Sequence, residues 1–600
     1  MINVSSEYFN SINSPMRLQT NFVVGLGVEN TEMAQNSVYS DNGHMRYSNV
    51  NSLKNLYATN KIYTTAEPNM YILDGLHEIT PSQDTFQGYC SDLVSGDDST
   101  FSATPIIYIT SDNEYDLIGF TIRFDEENND YPTDFDIEYY SKAGVLLRKA
   151  NITNNTQTQY IDDVETSGVN KIAVKFYKTH NYGRRIRVTR ITLGIYEEIY
   201  GGGGANTIKS ISHITEISPL SKEIPANNFS FVIFDEQGLY NAENPTGIWK
   251  YTKKGQIATL KYIQTLENGK TESVVGGRFY LTDRPSTEDT DAKFEAVSRL
   301  ESLEQTYNEG KYYVNGRSYY NLFADLFTYA GLESGEYEID EDLKDISTLI
   351  PLPKENVKTC IQLLCQSCGK IAYEDTTGKI WIKDNNSTID EYDLALNQNY
   401  SYPKYTLETA NVRNIIMTKY TPTVSGETSE LAKTAFTLTG QSEVVVAYDL
   451  STNHTYTITG GTVTSGEFYG YCCKLKITPS ADTNSVELTI SGNKIDITDV
   501  NLIYPVNSNG SDCELDFRML SQDNVANSLF PIYKKYLSEQ KRYEISYRGN
   551  PELRANDIIQ IATRFSEQIN AMILKSSYEW NNGASGTLEL KNYANQTSNA

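Results

Sequence analysis

Apolar and polar residues alternate along most of this 600-residue chain, and the alternation has the period of two that a half-buried strand requires. The segments PIIYITSDNEYDLIGFTIRFDE and TDFDIEYYSKAGVLLRKANI carry it first, the second with Lys142-Ala143-Gly144 as the turn of a hairpin. NKIAVKFYKT and RRIRVTRITLGIY add two further strands, so the chain from about Tyr57 to Tyr196 reads as a sandwich or jelly roll. Beyond it NFSFVIFDEQGLYNAENPTGIW, QIATLKYIQ and VVGGRFYLTD continue as antiparallel strands. Then the period changes. Tyr319, Leu322, Phe323, Leu326 and Phe327 recur at i, i+3, i+4, i+7 and i+8, one face of a helix closed by Gly331. Val357, Cys360, Ile361, Leu364, Cys365 and Cys368 repeat that pattern up to Gly369, and the hairpin KIAYEDTTGKIWIK follows at once. A Thr- and Gly-rich strand region comes next, then a helix around DNVANSLFPIYKKYLSEQ that Pro531 either opens or kinks, and finally four strands ending in SGTLELKNY.

The expected fold class is mainly β with a small α/β unit, in several domains, because this length exceeds what one core supports. Abundant Tyr, sparse Pro and Asn/Gly/Ser/Thr-rich joints fit a strand-and-turn protein. The net charge of −26 argues against nucleic-acid binding as the main task, since phosphate contacts need clustered Lys and Arg. It suits a solvated surface, or the wall of a conduit to which DNA must not adhere. The first twenty residues show neither a basic nor an apolar leader region, and no run approaches the ~20 apolar residues of a membrane span. Seven irregularly spaced cysteines read as reduced thiols.

No motif in the sequence demands catalysis, so no catalytic, cofactor-binding or metal-binding residue is assigned, and the chain is expected not to be an enzyme. The four glycines Gly201 to Gly204 lack the following helix and Lys-Ser/Thr of a phosphate loop, and read as a flexible joint. Cys365-Gln366-Ser367-Cys368 has the CxxC form, but no second pair exists and the five histidines are remote in sequence; its cysteines fall on the apolar helix face and read as core. The acidic turn DEENND lacks the spacing of a calcium loop. A sugar-binding surface on the first β-module would need Tyr or Phe, since all three Trp lie outside it; Tyr89, Tyr182 and Arg184 are the candidate glycan contacts. Their plainer reading is packing for the tyrosines and a structural ion pair for the Arg184-Arg185 pair.

Four blocks in this order resemble the central hub proteins of phage tail tips, also called baseplate hub or tail-associated proteins. YTTAEPNMYILDG, with LIGFTIRFDE and RRIRVTRITLGIYEE after it, is similar to the galactose-binding-like jelly roll inserted near the start of many of them. NFSFVIFDEQGLYNAENPTGIWKYTKKGQIATLKY resembles the hub's first barrel; LLCQSCGKIAYEDTTGKIWI resembles its α/β domain; YEISYRGNPELRANDIIQIATRF resembles the second barrel.

The resemblance implies the following layout. Residues 1–50 give a strand to a first tube-like β-barrel at 205–298, and 57–200 form the inserted jelly roll. Residues 299–400 are the α/β domain, 405–420 with 499–600 the second barrel with its helix, and 421–498 an inserted small β-sandwich. It also implies a virion structural protein: a homotrimer at the tail tip that adapts a sixfold tube and distal ring to tip or receptor-binding proteins, gates the DNA channel and takes part in host attachment. Three chains with two barrels each would match a ring of six. The rival reading is a glycan-binding surface protein or the non-catalytic, carbohydrate-binding part of a glycosidase. Relatives that degrade cell wall carry extensions after the last barrel; this chain stops at KNYANQTSNA.

Overall fold

The computed structural model describes the chain except residues 1, 43–47, 55–66, 68–87, 127, 202–206, 226, 246, 289, 333–334, 386–403, 408–410, 481–484, 539–540, 564–565, 582 and 594–600. It is mostly strand, and it divides into two compact units. One comprises residues 19–211 and 229–296; the other comprises 1–18, 212–228 and 297–600.

In the first of these, β1 (Thr20–Glu29) is almost wholly buried, which an unbroken TNFVVGLGVE run permits. Two sheets then enclose a common core. The larger has the order Ser37–Asp41, Ile106–Leu117, Thr166–Thr179, Pro132–Tyr140, Leu146–Ile152. The smaller places β2 (Phe120–Arg123) between β3 (Arg190–Thr192) and Gln159–Asp162. Alternation has sorted the side chains as expected: Ile107, Ile109, Phe120, Ile122, Phe135, Ile137, Ile172, Val174 and Phe176 form the shared core. Gly144, at φ 77°, closes the hairpin between Pro132–Tyr140 and Leu146–Ile152, a conformation a Cβ would disfavour. From there β4 (Gly194–Gly201) returns the chain to pair antiparallel with β1.

After Gly201 the glycine joint lies outside the described residues, save Gly201 itself. The chain resumes as β5 (Ile208–Glu216), followed by β6 (Asn228–Phe234), β7 (Ile257–Thr265), β8 (Thr271–Leu281) and β9 (Asp291–Val297). Their hydrogen-bonded order is β1-β7-β8-β9-β6. The path is open; among the described residues it does not close into a barrel.

In the second unit α1 (Tyr319–Tyr329) and α2 (Val357–Cys368) pack on each other, and all five residues of the Tyr319/Phe327 face are buried, as are the six of the Val357/Cys368 face. Ser318 and Asn356 cap the two N-termini through the N–H groups of Asn321 and Thr359, and Gly369 ends α2 in the left-handed region at φ 76°. The hairpin of β10 (Ile371–Glu374) and β11 (Ile380–Lys383) follows as the sequence predicts. A long antiparallel ladder pairs β12 (Val412–Thr437) with β13 (Ser485–Pro505), with register shifts near Val424 and Glu430. At one end its residues Val486, Leu488 and Ile490, with Leu438 just beyond β12, cover Val444, Val446, Leu475 and Ile477 of a three-stranded sheet. At the other, Ile415 and Met417 meet α3 (Asp523–Ser538), which carries Pro531 inside it rather than at its start. The chain closes with β14 (Lys541–Tyr547), β15 (Ile558–Thr563), β16 (Ser566–Trp580) and β17 (Ala584–Asn592).

Candidate functional site

The same four-strand arrangement occurs twice. Taken in chain order as first to fourth, β6, β7, β8 and β9 lie side by side in the order second, third, fourth, first. Strands β14, β15, β16 and β17 lie in that same order, with β15 pairing β16, β16 pairing β17, and β17 pairing β14. Each third strand carries a bulge, opposite Leu260/Lys261 for β8 and at Ile573/Lys575 in β16. Each connection from first to second strand contains an Asn-Pro step, Asn244-Pro245 and Asn550-Pro551. In the earlier connection the carboxylate of Asp235, 8 % exposed, accepts N–H bonds from Leu239 and Tyr240, both at 2.8 Å. In the later one Asp557 accepts the Arg554 N–H at 2.7 Å. Asn550 makes a turn by accepting the Glu552 N–H at 3.0 Å.

A cleft of about 600 Å³ opens in the second unit between the end of β5 (Thr215, Glu216), the β10–β11 hairpin (Glu374, Lys383) and the later connection (Arg554, Asp557). Glu374 accepts the backbone N–H groups of Arg299 at 2.9 Å and Leu300 at 2.5 Å. Burial raises its carboxyl to about 7, against the opposing pull of those two bonds. Beside the hairpin, the Lys370 ammonium is 5 % exposed and holds Asp340, Asp342 and Asp384 at 2.9, 2.8 and 3.1 Å. Burial works against that ammonium, but the three carboxylates outweigh it and keep the pKa above the ordinary lysine value. These three aspartates converge closely enough for a cation, and the cation among them is the lysine itself.

The residues singled out as glycan contacts do not form one surface. Tyr89 is 2 % exposed, with its ring stacked on Phe176 at 6.4 Å. Tyr182 is 52 % exposed, and the Arg184 N–H donates to Ser95 Oγ at 3.0 Å. Beside them the Arg187 guanidinium grips Glu67, and the Arg185 N–H donates to the same carboxylate at 2.6 Å. Glu67 is the one described residue of the YTTAEPNMYILDG block; the rest lies outside. In the DEENND turn Asp125 accepts the Asn128 N–H at 2.9 Å and bridges to Asp130. Cys360, Cys365 and Cys368 are buried free thiols on the inner face of α2; burial pushes Cys360 and Cys368 to about 12, far from a reactive thiolate.

One Ser–His pair escaped sequence reading: Ser451 Oγ lies 3.1 Å from His454 Nε2. Ser451 is 1 % exposed, and the partly exposed histidine ring packs on Tyr448 and Phe468. Only its spacing of three residues was visible beforehand, and in a strand that spacing places residues on opposite faces. Among the described residues no helix is long and apolar enough to cross a membrane.

No protein-family model matches the chain, and no curated protein does. Similar solved structures exist. The 43 kDa tail protein of prophage MuSo2 from Shewanella oneidensis is 9 % identical with a TM-score of 0.36, over 66 % of this chain and 94 % of that one. A tail protein from Neisseria meningitidis MC58 is 7 % identical with a TM-score of 0.38, over 65 % and 94 %. The prophage tail protein gp18 from Listeria monocytogenes is 10 % identical with a TM-score of 0.34, over 67 % and 92 %.

Proposed function

We propose that this chain is a structural hub at the distal tip of a phage tail or phage-like particle. Three copies would present six four-strand units to a sixfold tube, and would adapt that ring to threefold tip or receptor-binding proteins. The observation that carries the reading is the repeated strand order: β6–β9 and β14–β17 share one connectivity although their sequences show no common repeat. A symmetry mismatch is met economically when one polypeptide supplies two equivalent surfaces. The order of the four sequence blocks and the net charge of −26, which suits a channel wall that must not hold DNA, support it further. In this reading the sandwich-like module, expected at residues 57–200 and joined by the strand Ser37–Asp41, is the inserted jelly roll, and the chain's task is assembly and gating rather than catalysis.

Light scattering and electron microscopy of the purified full chain, alone and with tail-tube and distal-ring proteins, test this directly. A threefold particle that binds the tube or ring is expected. A monomer at high concentration with affinity for neither overturns the reading.

A further inference from the structure

Residues 307–313, α1 and the turn before the strand Cys472–Pro479 border a further cleft of the second unit, about 540 Å³ in volume. Two glycines bring these parts together. A Cβ on Gly310 would fall 2.2 Å from the Leu352 carbonyl oxygen, and one on Gly470 would fall 2.4 Å from the Gly310 carbonyl oxygen. That same oxygen accepts the Gly470 N–H at 2.6 Å. Along α1, Leu322, Asp325 and Tyr329 recur at i, i+3 and i+7, so they line the cleft from one helix face.

Four of the lining side chains are tyrosines: Tyr307, Tyr313, Tyr329 and Tyr469. Tyr307 and Tyr329 meet edge to face at 4.9 Å, and the Lys311 ammonium lies 4.7 Å from the centre of the Tyr469 ring. Tyr313 and Tyr329 are the partly exposed rings, and they give the cleft its apolar walls. The charges among the lining residues cancel, Glu309 and Asp325 against Lys311 and Lys474. Each carboxylate is fixed by a cation. Glu309 is gripped by Lys474, and Asp325 is held by Arg317 through two bonds at 2.7 and 2.6 Å. A carboxylate has about four lone-pair sites, so both can still accept from a ligand.

Tyr307 adds an independent sign of a ligand. Its side chain is 4 % exposed, yet its hydroxyl has no hydrogen-bond partner among the described residues. A buried hydroxyl left in that state is costly unless a group in the cleft completes it. Burial, with Asp325 and Glu309 nearby, raises its pKa above the ordinary tyrosine value, so the hydroxyl keeps its proton and can donate.

We propose that this cleft is a binding site for a neutral saccharide. Tyr313 and Tyr329 take the C–H face of a sugar ring, Glu309 and Asp325 accept from its hydroxyl groups, and Lys311 and the Tyr307 hydroxyl donate to them. An anion or a cation would meet a like charge for every opposite one, whereas a polyol uses donors and acceptors alike. The volume lies within the ~300–1,000 Å³ of small-molecule sites, and aromatic walls with a few fixed polar groups are their usual lining. The cleft lies within one chain, so the proposal stands apart from the hub reading: a chain that stays monomeric should bind as well as a trimer.

The test uses the full chain. An array of neutral hexose, N-acetylhexosamine and deoxyhexose oligosaccharides identifies the sugar, and calorimetric titration with that free oligosaccharide measures it. Tetramethylammonium chloride, a trilysine peptide and sodium phosphate are titrated alongside. At least one neutral oligosaccharide should bind, and the three charged probes should not. Tyr307→Phe, which removes one hydroxyl, should weaken binding about fivefold. Tyr313→Ala, which removes a wall, should weaken it about tenfold or more. Thermal unfolding without sugar checks that both variants fold; should Tyr313→Ala not, Tyr307→Phe decides. The proposal is overturned if no neutral oligosaccharide binds, if a charged probe binds in its place, or if either folded variant binds like the parent. Loss of binding in Tyr182→Ala, with Tyr313→Ala unaffected, would put the sugar on the first β-module and overturns it as well.

Discussion

The two four-strand units share a connectivity but not a core. The earlier one is packed with rings: Phe231 stacks on Phe229 and Phe294 at 5.2 and 4.7 Å, and Phe229 meets Phe279 at 5.0 Å. The later one is aliphatic, with Ile545, Ile559, Ile561, Ile573, Leu588 and Leu590 in its core and Tyr543 and Tyr547 beside them. The same strand order is therefore reached with different interior shapes. What the two have in common is the alternation that puts one face inward, the bulge in the third strand and the Asn-Pro step after the first. Topology here follows from pattern and turn chemistry, while the particular side chains set how firmly each unit is held.

The comparison can be broken from either core. Phe231→Ala should cost about 3–5 kcal/mol in urea unfolding, and Leu588→Ala about 2–4 kcal/mol, since both side chains are fully buried and the aromatic one leaves the larger void. Hydrogen exchange should place each loss in its own unit; a loss spread equally over both would end the idea of two separate cores. Gly194 sharpens the contrast. A Cβ there would come 2.1 Å from the Val28 carbonyl oxygen, so Gly194→Ala should lose about 1–3 kcal/mol and free β4 from β1, with no exchange change in β14–β17. The earlier connection comes next. Asp235→Ala removes the acceptor of the Leu239 and Tyr240 N–H groups and should cost about 2 kcal/mol in urea unfolding. No measurable loss would mean that these two bonds do not govern the turn.

The smallest expected effect is one of pH. Glu374 holds the backbone just after β9, and its folded carboxyl is raised to about 7 from an ordinary 4.5. Between those values the folded state binds more protons than the unfolded state, so stability falls as pH rises from 4.5 to 7 and is level above. Glu374→Gln should flatten that slope, by on the order of 1 kcal/mol once solvent screening at a partly exposed carboxyl is allowed for. An unchanged slope in urea titrations at pH 5 and 8 would remove Glu374 as its source.

The buried faces of helices α1 and α2 were legible because a 3.6-residue period declares them, and Gly331 and Gly369 follow close on their ends. The strands were legible as strands, but their partners were not. Nothing in a sequence says that β9 returns to lie beside β6, since that pairing is decided by packing across many residues. Strand β12 shows the limit most plainly. Pro422 and Gly426 interrupt the apolar pattern, yet the strand continues through both: Pro422 stays in register opposite Ile497 of β13, and Gly426 falls in the register shift between Val424 and Thr428. The packing of two arginines on Tyr196 was hidden for the same reason. Arg123, Arg190, Tyr196 and Gly25 are far apart in sequence, and only the β2–β3 and β1–β4 pairings bring them together. The fate of Tyr89 followed from the opposite ambiguity: an aromatic residue in a strand reads alike whether it faces solvent or core, and this one faces Phe176.

The β12–β13 ladder has a mechanical corollary. At roughly 3.3 Å per residue a strand of this length reaches several nanometres, with a rung of hydrogen bonds at nearly every step. Pulling its two strands in opposite directions along their length would load all rungs at once, whereas prising them apart sideways would load one at a time. Such a girder is stiff under axial tension and compliant at its two register shifts, near Val424 and Glu430. A load applied at the Thr-rich end would therefore arrive at Ile415 and Met417, against α3, largely undiminished.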